Sequence, residues 1–316
     1  MPHIFITGAS GYIGSVLTTL CVSEGHTVHA LSRTPKSDEY LSSLGAVAIR
    51  GDLTTHDVLT REAHLADITI NIADAIAGMM GKIDDAERTR INNGALTALA
   101  KGIDGTYKKL ILTSGSLFAA ADPSGAETNE ESPGWEGMPF GVGLESMFPE
   151  LMTRGLNVNV VRLAPWVYGR GGSGVKLFMT GAAQAGVMTY VDDGAKRTSS
   201  VHVDDAARLY YLIATKAPPR EAYNATSQTD VTFKQLAEAM GKTLGVKVES
   251  LGFEEMKEAA GVFLARFLSL ENRGSNEKAR RELGWKIEEK KGILEEIEKG
   301  SYVQLGAELR TRMEKA

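Results

Sequence analysis

Hydrophobic and polar positions in the first half of the chain follow two alternating patterns. Short apolar runs give way to stretches with apolar residues at helical spacing, as at Ile13, Val16, Leu17 and Leu20. Unbroken apolar runs of this length are typical of strands covered on both faces. They predict strands at His3–Thr7, Thr27–Leu31, Val47–Arg50, Ile68–Ile72, Leu110–Thr113 and Val158–Leu163. Helical periodicity fills the gaps, for example over residues 12–24 and Asp84–Lys101. Strands alternating with helices imply right-handed crossovers, so the fold class expected is α/β with a doubly wound parallel sheet.

The pattern changes after residue 163. Gly169-Arg170-Gly171-Gly172-Ser173-Gly174 reads as a flexible stretch, and Pro218-Pro219 marks a second break. Phe233–Leu244 and Ile287–Lys299 have the spacing of amphipathic helices. Phe253–Leu270, with Met256, Val262, Phe263, Phe267 and Leu268, suits a pocket lid, a core helix or a dimer helix equally. The expected organisation is a domain over 1–163, to which 201–225 returns, and a smaller interleaved lobe of 164–200 and 226–316. Ligands of open α/β sheets bind at the carboxyl ends of the strands, where the order of strands reverses.

Composition narrows the partners. Of 316 residues, 43% are hydrophobic and 24% charged, with a net charge of −5. That balance argues against binding nucleic acid or an anionic membrane through bulk charge. The lone Cys21 excludes an intrachain disulfide and a thiolate metal cluster. The first residues lack the basic start and apolar core of an export signal, and no window has the apolar length of a membrane span. A cytoplasmic protein, monomer or homodimer, is the expectation. His3, His26, His29, His56 and His64 have no metal-ligand spacing. Asp192, Asp193, Asp204 and Asp205 read as caps, so no metal is expected.

The 34 glycines matter more by position than by number. Thr7-Gly8-Ala9-Ser10-Gly11-Tyr12-Ile13-Gly14 follows a predicted strand and opens a predicted helix. Gly8 permits the tight turn, Gly11 lets backbone approach a pyrophosphate, and Gly14 lets helix and sheet pack closely. The helix N-terminus adds free N–H groups and its dipole. A purely structural strand-to-helix turn is the competing reading, and the strand–loop–helix context favours a dinucleotide.

The second strand ends Ser32-Arg33-Thr34-Pro35-Lys36, without the acid that usually binds the ribose hydroxyls of NAD. Arg33 can clamp a 2′-phosphate and Ser32 can donate to it, which favours NADP. Arg33 as an ordinary surface arginine is the alternative. Asp52 and Leu53 close the third strand, where Asp52 suits an adenine amino group or a helix cap.

These residues resemble the extended short-chain dehydrogenase/reductase family, in its epimerase/dehydratase-like branch. Thr7–Gly14, Gly51-Asp52-Leu53, Asn92-Asn93-Gly94, Leu112–Ser116, Val161–Gly169, Val201–Ala207, Tyr223-Asn224-Ala225 and Lys278–Trp285 carry the likeness in order. The resemblance implies a Rossmann sheet with a substrate lobe. It also implies cofactor contacts at Ala73, Asn92, Pro165 and Val167, besides Thr7, Gly8, Ser10, Gly11, Tyr12, Ile13 and Gly14. The family's usual proton donor is a Tyr with a Lys four residues later. The corresponding stretch, Glu136–Glu145, has neither residue, and no tyrosine in the chain has a lysine at that spacing.

Other groups must then carry the chemistry. Ser114, or Ser116 in a shifted register, occupies the place of the substrate-holding hydroxyl, with turn capping as the ordinary alternative. Glu145 would be an acid if buried, although a solvated helix residue is expected. Tyr168 and Tyr190 fall in segments that the resemblance implies line the pocket, and Tyr190, before the turn Val191–Gly194, could supply a phenol from the opposite wall. His202 is expected to pack at the lobe junction rather than donate a proton. A lining that includes Trp166, Phe140 and Met138 would suit an apolar or aromatic substrate. The leading expectation is an NADPH-dependent oxidoreductase acting on a small, fairly hydrophobic carbonyl compound with a non-standard proton donor. A redox-neutral isomerase, epimerase or lyase, and a non-catalytic NADP-sensing protein, are the alternatives.

Overall fold

The computed structural model describes residues 1–76, 83–136 and 144–315. Its first half runs β1 (His3–Thr7), α1 (Tyr12–Ser23), β2 (Thr27–Ser32), α2 (Pro35–Ser43), β3 (Val47–Arg50), α3 (His56–Leu65), β4 (Ile68–Asn71), α4 (Asp85–Ile103), β5 (Lys109–Gly115), α5 (Phe148–Thr153) and β6 (Asn157–Leu163). The six expected strands are present, with ends displaced by at most two residues. Ile4, Phe5 and Ile6 are all fully buried. That explains why β1 shows no polar alternation: Ile4 and Ile6 pack in a cluster with α1, while Phe5 packs with α3 and α4 on the other face.

The remaining elements are β7 (Trp166–Tyr168), α6 (Ser173–Ala185), β8 (Val187–Val191), β9 (Arg197–His202), α7 (Val203–Lys216), β10 (Ala222–Ala225), β11 (Gln228–Thr232), α8 (Phe233–Leu244), β12 (Lys247–Leu251), α9 (Phe253–Ala260), α10 (Val262–Phe267), α11 (Glu277–Leu283), α12 (Ile293–Lys299) and α13 (Tyr302–Met313). The main sheet has the order β10-β6-β5-β4-β1-β2-β3 and is parallel throughout. Strand order reverses between β1 and β4, which places the ligand crevice at the carboxyl ends of those two strands.

β7, β9 and β11 form a second sheet, and β8 with β12 a third. β7 lies on the seam between the two halves. Val167 packs in the same cluster as α1 and α7, whereas Trp166 and Tyr168 turn into the core of the second half. Among the described residues, no helix is long and apolar enough to cross a membrane.

Two helix expectations need correction. Ile287–Lys299 is helical only from Ile293, because the N–H groups of Glu288 and Glu289 are drawn to the Asp205 carboxylate at 2.9 and 3.3 Å. Phe253–Leu270 is two helices, broken at Gly261, whose φ of 87° no helix accommodates.

Candidate active site

The β1–α1 turn is fixed from both sides. Thr7 Oγ1 donates to Asn71 Oδ1 at 2.6 Å and accepts from Ala73 N at 3.3 Å, which ties β1 to the end of β4. Gly8 has φ of 73°, and a Cβ there would stand 2.9 Å from Ala73 N. A Cβ on Gly14 would stand 2.0 Å from the Gly8 carbonyl oxygen, so α1 can approach the loop only through glycine. Gly11 N donates to that same oxygen at 2.9 Å. Ser10 is exposed at the tip and Ile13 half-buried behind it. No side chain caps α1, which leaves its first N–H groups for a ligand. The cradle fits a pyrophosphate: α1 starts with uncapped N–H groups, and the glycines at 8, 11 and 14 bring no side chain to the turn.

At the β2 tip, Ser32 is buried and its hydroxyl donates to Thr34 O at 3.3 Å, while Arg33 is exposed. Ser32 is therefore committed to its own turn. Asp52 Oδ1 accepts from Thr54 N at 2.8 Å and Thr54 Oγ1 at 2.7 Å. The Thr54 bonds, with the Arg33 charge adding to them, hold the Asp52 carboxyl below its usual range. Leu53 is buried beside it. Asn92 is buried in α4 and accepts from Ala75 N at 2.9 Å, so it braces the loop after β4. Asp74 in that loop makes a two-pronged pair with Arg88, at 2.9 and 2.7 Å.

The other end of the crevice lies where β5 and β6 finish. Ser114 sits opposite Arg162 in the strand register. It is half-buried, and its hydroxyl has no partner among the described residues. Ser116 is fully engaged: it is buried and donates to Asn272 Oδ1 at 2.8 Å. The two serines, close in sequence, thus have different roles.

Glu145 is not the solvated residue expected from sequence. It is 5% exposed and its Oε1 accepts from Arg162 Nε at 2.8 Å and Nη2 at 2.5 Å. Arg162 also donates to Glu130 O at 3.0 Å and lies 4.6 Å from the Phe118 ring centre. A carboxylate engaged in this buried pair is a structural anchor rather than a proton donor. An arginine buried in β6 needs such a partner. Met138, Phe140, Gly137, Gly141 and Gly143 lie outside the described residues.

The remaining candidates fall in the second half. Tyr168 is buried and donates to Lys291 O at 2.9 Å, which removes it from any pocket wall. Tyr190 is half-buried on β8 and packs against the core of the second half with Trp166, Phe178, Met188 and Phe233, where the remaining space is too small for a substrate. His202 is buried, caps α7 by accepting from Asp204 N at 3.3 Å, and meets the Tyr168 ring edge-on. His202, Asp204 and Glu289 bring ligand atoms within 4.8 Å of one another. Arg170 already neutralises Asp204 at 2.6 Å. Asp205 caps nothing of its own helix beyond the Arg208 pair; it anchors the segment before α12.

Comparison with known proteins decides the family. The NAD dependent epimerase/dehydratase family model matches residues 4–226. The chain belongs to this family. It is an extended short-chain dehydrogenase/reductase, and the family carries oxidoreductase- or epimerase-type chemistry with a nicotinamide cofactor. An uncharacterized protein of Saccharomyces cerevisiae is 28% identical, covering 93% of this chain and 97% of its own. The 4-hydroxy-2-methyl-3-oxo-4-farnesyl-3,4-dihydroquinoline-1-oxide ketoreductase of Stigmatella aurantiaca is 26% identical, covering 89% and 91%. The dTDP-glucose 4,6-dehydratase DesIV of Streptomyces venezuelae, solved with NAD bound, shares the fold. Its TM-score is 0.75 at 18% identity, over 96% of this chain and 97% of that one. The β1–α1 turn and the ends of β5 and β6 lie on the same edge of the sheet, at the carboxyl ends of its strands.

Proposed function

We propose that this protein is an NADPH-dependent oxidoreductase that reduces the carbonyl group of a small, fairly hydrophobic metabolite. The observation that carries the reading is Ser114: a hydroxyl at the end of β5 with no partner among the described residues, beside Arg162 of β6 in the strand register. When bound, the nicotinamide supplies the hydride. Thr7, Gly8, Ser10, Gly11, Tyr12, Ile13 and Gly14 would hold the pyrophosphate side, with Ala73, Asn92 and Leu53 behind it. Arg33 would receive the 2′-phosphate and Asp52 the adenine. Pro165 and Val167 would flank the nicotinamide. Ser114 would donate to the substrate oxygen and hold the carbonyl in place. The proton that completes the alcohol comes from a non-standard donor, a bound water in the simplest form, since Glu145 is occupied by Arg162.

Two arginines of the second half, Arg197 and Arg273, are engaged with Glu271 and Asp230 at 2.5 Å, which leaves neither to grip a diphosphate. The ketoreductase relative from Stigmatella aurantiaca acts on a ring ketone by its name, in keeping with this reading.

The test is to mix purified protein with NADPH and a panel of cyclic and aromatic ketones and to follow loss of reduced-cofactor absorbance. Consumption with alcohol formed in equal amount is the expected result. Product without net NADPH consumption would identify a redox-neutral reaction. Tight NADPH binding with silence on every ketone would overturn the catalytic reading.

A further inference from the structure

The turn 169–173 has an unusual backbone. Gly169, Arg170, Gly171 and Ser173 have φ of 107°, 51°, 65° and 63°. Arg170 and Ser173 are two of the four non-glycine residues with positive φ among those described. Side-chain-bearing residues persist in this conformation only where their surroundings dictate it, and such places cluster at functional sites.

Here the surroundings come from both ends of the chain. Tyr12, inside the glycine loop that opens α1, donates its hydroxyl to Gly169 O at 2.7 Å. Its ring lies under Gly172, where a Cβ would stand 2.6 Å from Cε2. From the other side, the Tyr302 hydroxyl accepts from Gly169 N at 2.8 Å and donates to Gly172 O at 2.9 Å. Ser301 Oγ accepts from Gly171 N at 2.7 Å. Burial raises both phenols, Tyr302 to about 12, and they stay protonated donors at neutral pH. Tyr302 is buried, although it begins the last helix, α13. Ser301 and Tyr302 both lie beyond residues 4–226, which the family model matches.

We infer that Tyr302 and Ser301 are positioning residues for the nucleotide site, so that the last helix is part of the cofactor-binding machinery. The two tyrosines grip one turn. Tyr302 holds the Gly169 N–H and the Gly172 carbonyl, and the Gly169 carbonyl receives Tyr12. Tyr12 shares its loop with Gly11, which faces the pyrophosphate in the reading above. Whatever nucleotide binding does to order this loop is therefore transmitted to α13. Anchoring at α13 in turn raises nucleotide affinity, because coupling between two sites is reciprocal. This inference rests on the nucleotide reading of the β1–α1 turn.

The test titrates NADPH into wild-type protein, Tyr302→Phe and Ser301→Ala, read by the fluorescence of the bound reduced cofactor. Amide exchange over 168–174 and 299–305 is measured with and without NADPH, beside thermal unfolding. Tyr302→Phe is expected to weaken NADPH binding about five- to tenfold, and Ser301→Ala about two- to fivefold. NADPH is expected to slow exchange at both segments in wild type, and to slow it much less at 299–305 in Tyr302→Phe. A merely structural tyrosine would lower the unfolding temperature and leave the affinity of folded protein within twofold. That result, or exchange at 299–305 indifferent to NADPH, overturns the inference. If Tyr302→Phe does not fold, the wild-type exchange and the Ser301→Ala affinity decide. Wild type that binds neither NADPH nor NADH overturns the nucleotide reading and this inference together. Binding that is insensitive to both variants overturns the inference alone.

Discussion

The β1–α1 turn, proposed as the nucleotide end of the crevice, and the ends of β5 and β6, proposed as its reaction end, lie on one edge of the sheet with β4 between them, yet they are specified differently. At the nucleotide end, the decisive positions fall within eight residues, Thr7 to Gly14, and its three glycines work by having no side chain. At the reaction end, the partners come from far apart: Ser116 meets Asn272 across 156 residues, and Arg162 meets Glu145 across 17. The first kind of site is set by local backbone sterics, and any substitution that adds a Cβ is felt at once. The second is set by pairs of side chains, and a single loss leaves a partner stranded. The difference predicts how each end fails.

The largest effect is expected at the buried pair. Arg162→Met should cost about 3–5 kcal/mol, because Glu145 would remain buried without its counter-charge. Urea unfolding measures it. Adding Glu145→Leu should restore most of the loss, since well-packed apolar groups of similar volume often replace a buried ion pair at little cost. A double variant as unstable as the single one would mean that the pair contributes more than the isolation of one charge.

Next comes the contrast between the two serines. Ser114→Ala should lower turnover about 10²–10³-fold, some 2.7–4 kcal/mol, with NADPH affinity unchanged. Ser116→Ala should instead lower stability by about 1–2 kcal/mol through the stranded Asn272 side chain, with turnover of the folded enzyme largely kept. The reverse pattern would transfer the substrate-holding role to Ser116.

At the nucleotide end, Gly14→Ala should destabilise by about 1–3 kcal/mol, because its Cβ would overlap the Gly8 carbonyl at 2.0 Å. A Cβ on Gly11 would stand a looser 3.1 Å from the same oxygen. Gly11→Ala should therefore fold nearly normally and lose NADPH affinity instead. Equal unfolding midpoints for the two variants would contradict the division between packing and ligand approach. Arg33→Ser should weaken NADPH about tenfold relative to NADH, about 1.4 kcal/mol. An unchanged ratio of the two affinities would remove the 2′-phosphate assignment.

The same contrast explains what was legible in the sequence. The sheet was readable because strands buried on both faces must be continuously apolar, as Ile4, Phe5 and Ile6 are. The glycine loop was readable because its requirement is local and steric. Glu145 was misread as solvated, since nothing within reach of a helical or strand period pointed to Arg162. Ser114 and Ser116 could not be told apart, because the residue that decides between them is Asn272, on the far side of the second half. Tyr302 gave no local sign at all: one tyrosine before a polar helix is ordinary until the fold brings it to Gly169. The helix expected from Ile287 failed for a similar reason, as Asp205 claims the N–H groups that would have started it.

The smallest effect is expected at the amino end of β1, opposite the carboxyl end that bears the glycine loop. His3 stacks edge-on against His29 at 4.0 Å, and His29 is bonded to the buried Glu62 at 2.7 Å. Burial, and then the His29 charge, lower the His3 pKa. Its ordinary value is about 6.5. As pH falls below that value, the unfolded chain takes up a proton that the folded chain resists, so stability present above it is lost on acidification. His3→Gln should therefore flatten the fall in unfolding temperature between about pH 7.5 and 5.5, a window set by that downward shift. NADPH affinity of the folded variant should equal that of wild type, because His3 and the glycine loop occupy opposite ends of one strand. If the variant kept the wild-type fall over this window, the titration would not belong to His3; nor would it belong to Asp74, whose carboxyl lies below its usual range beside Arg88 and titrates only at more acid pH. If it changed NADPH affinity, the two ends of β1 would be coupled along the strand, and the separation between stability at one end and ligand binding at the other would fail.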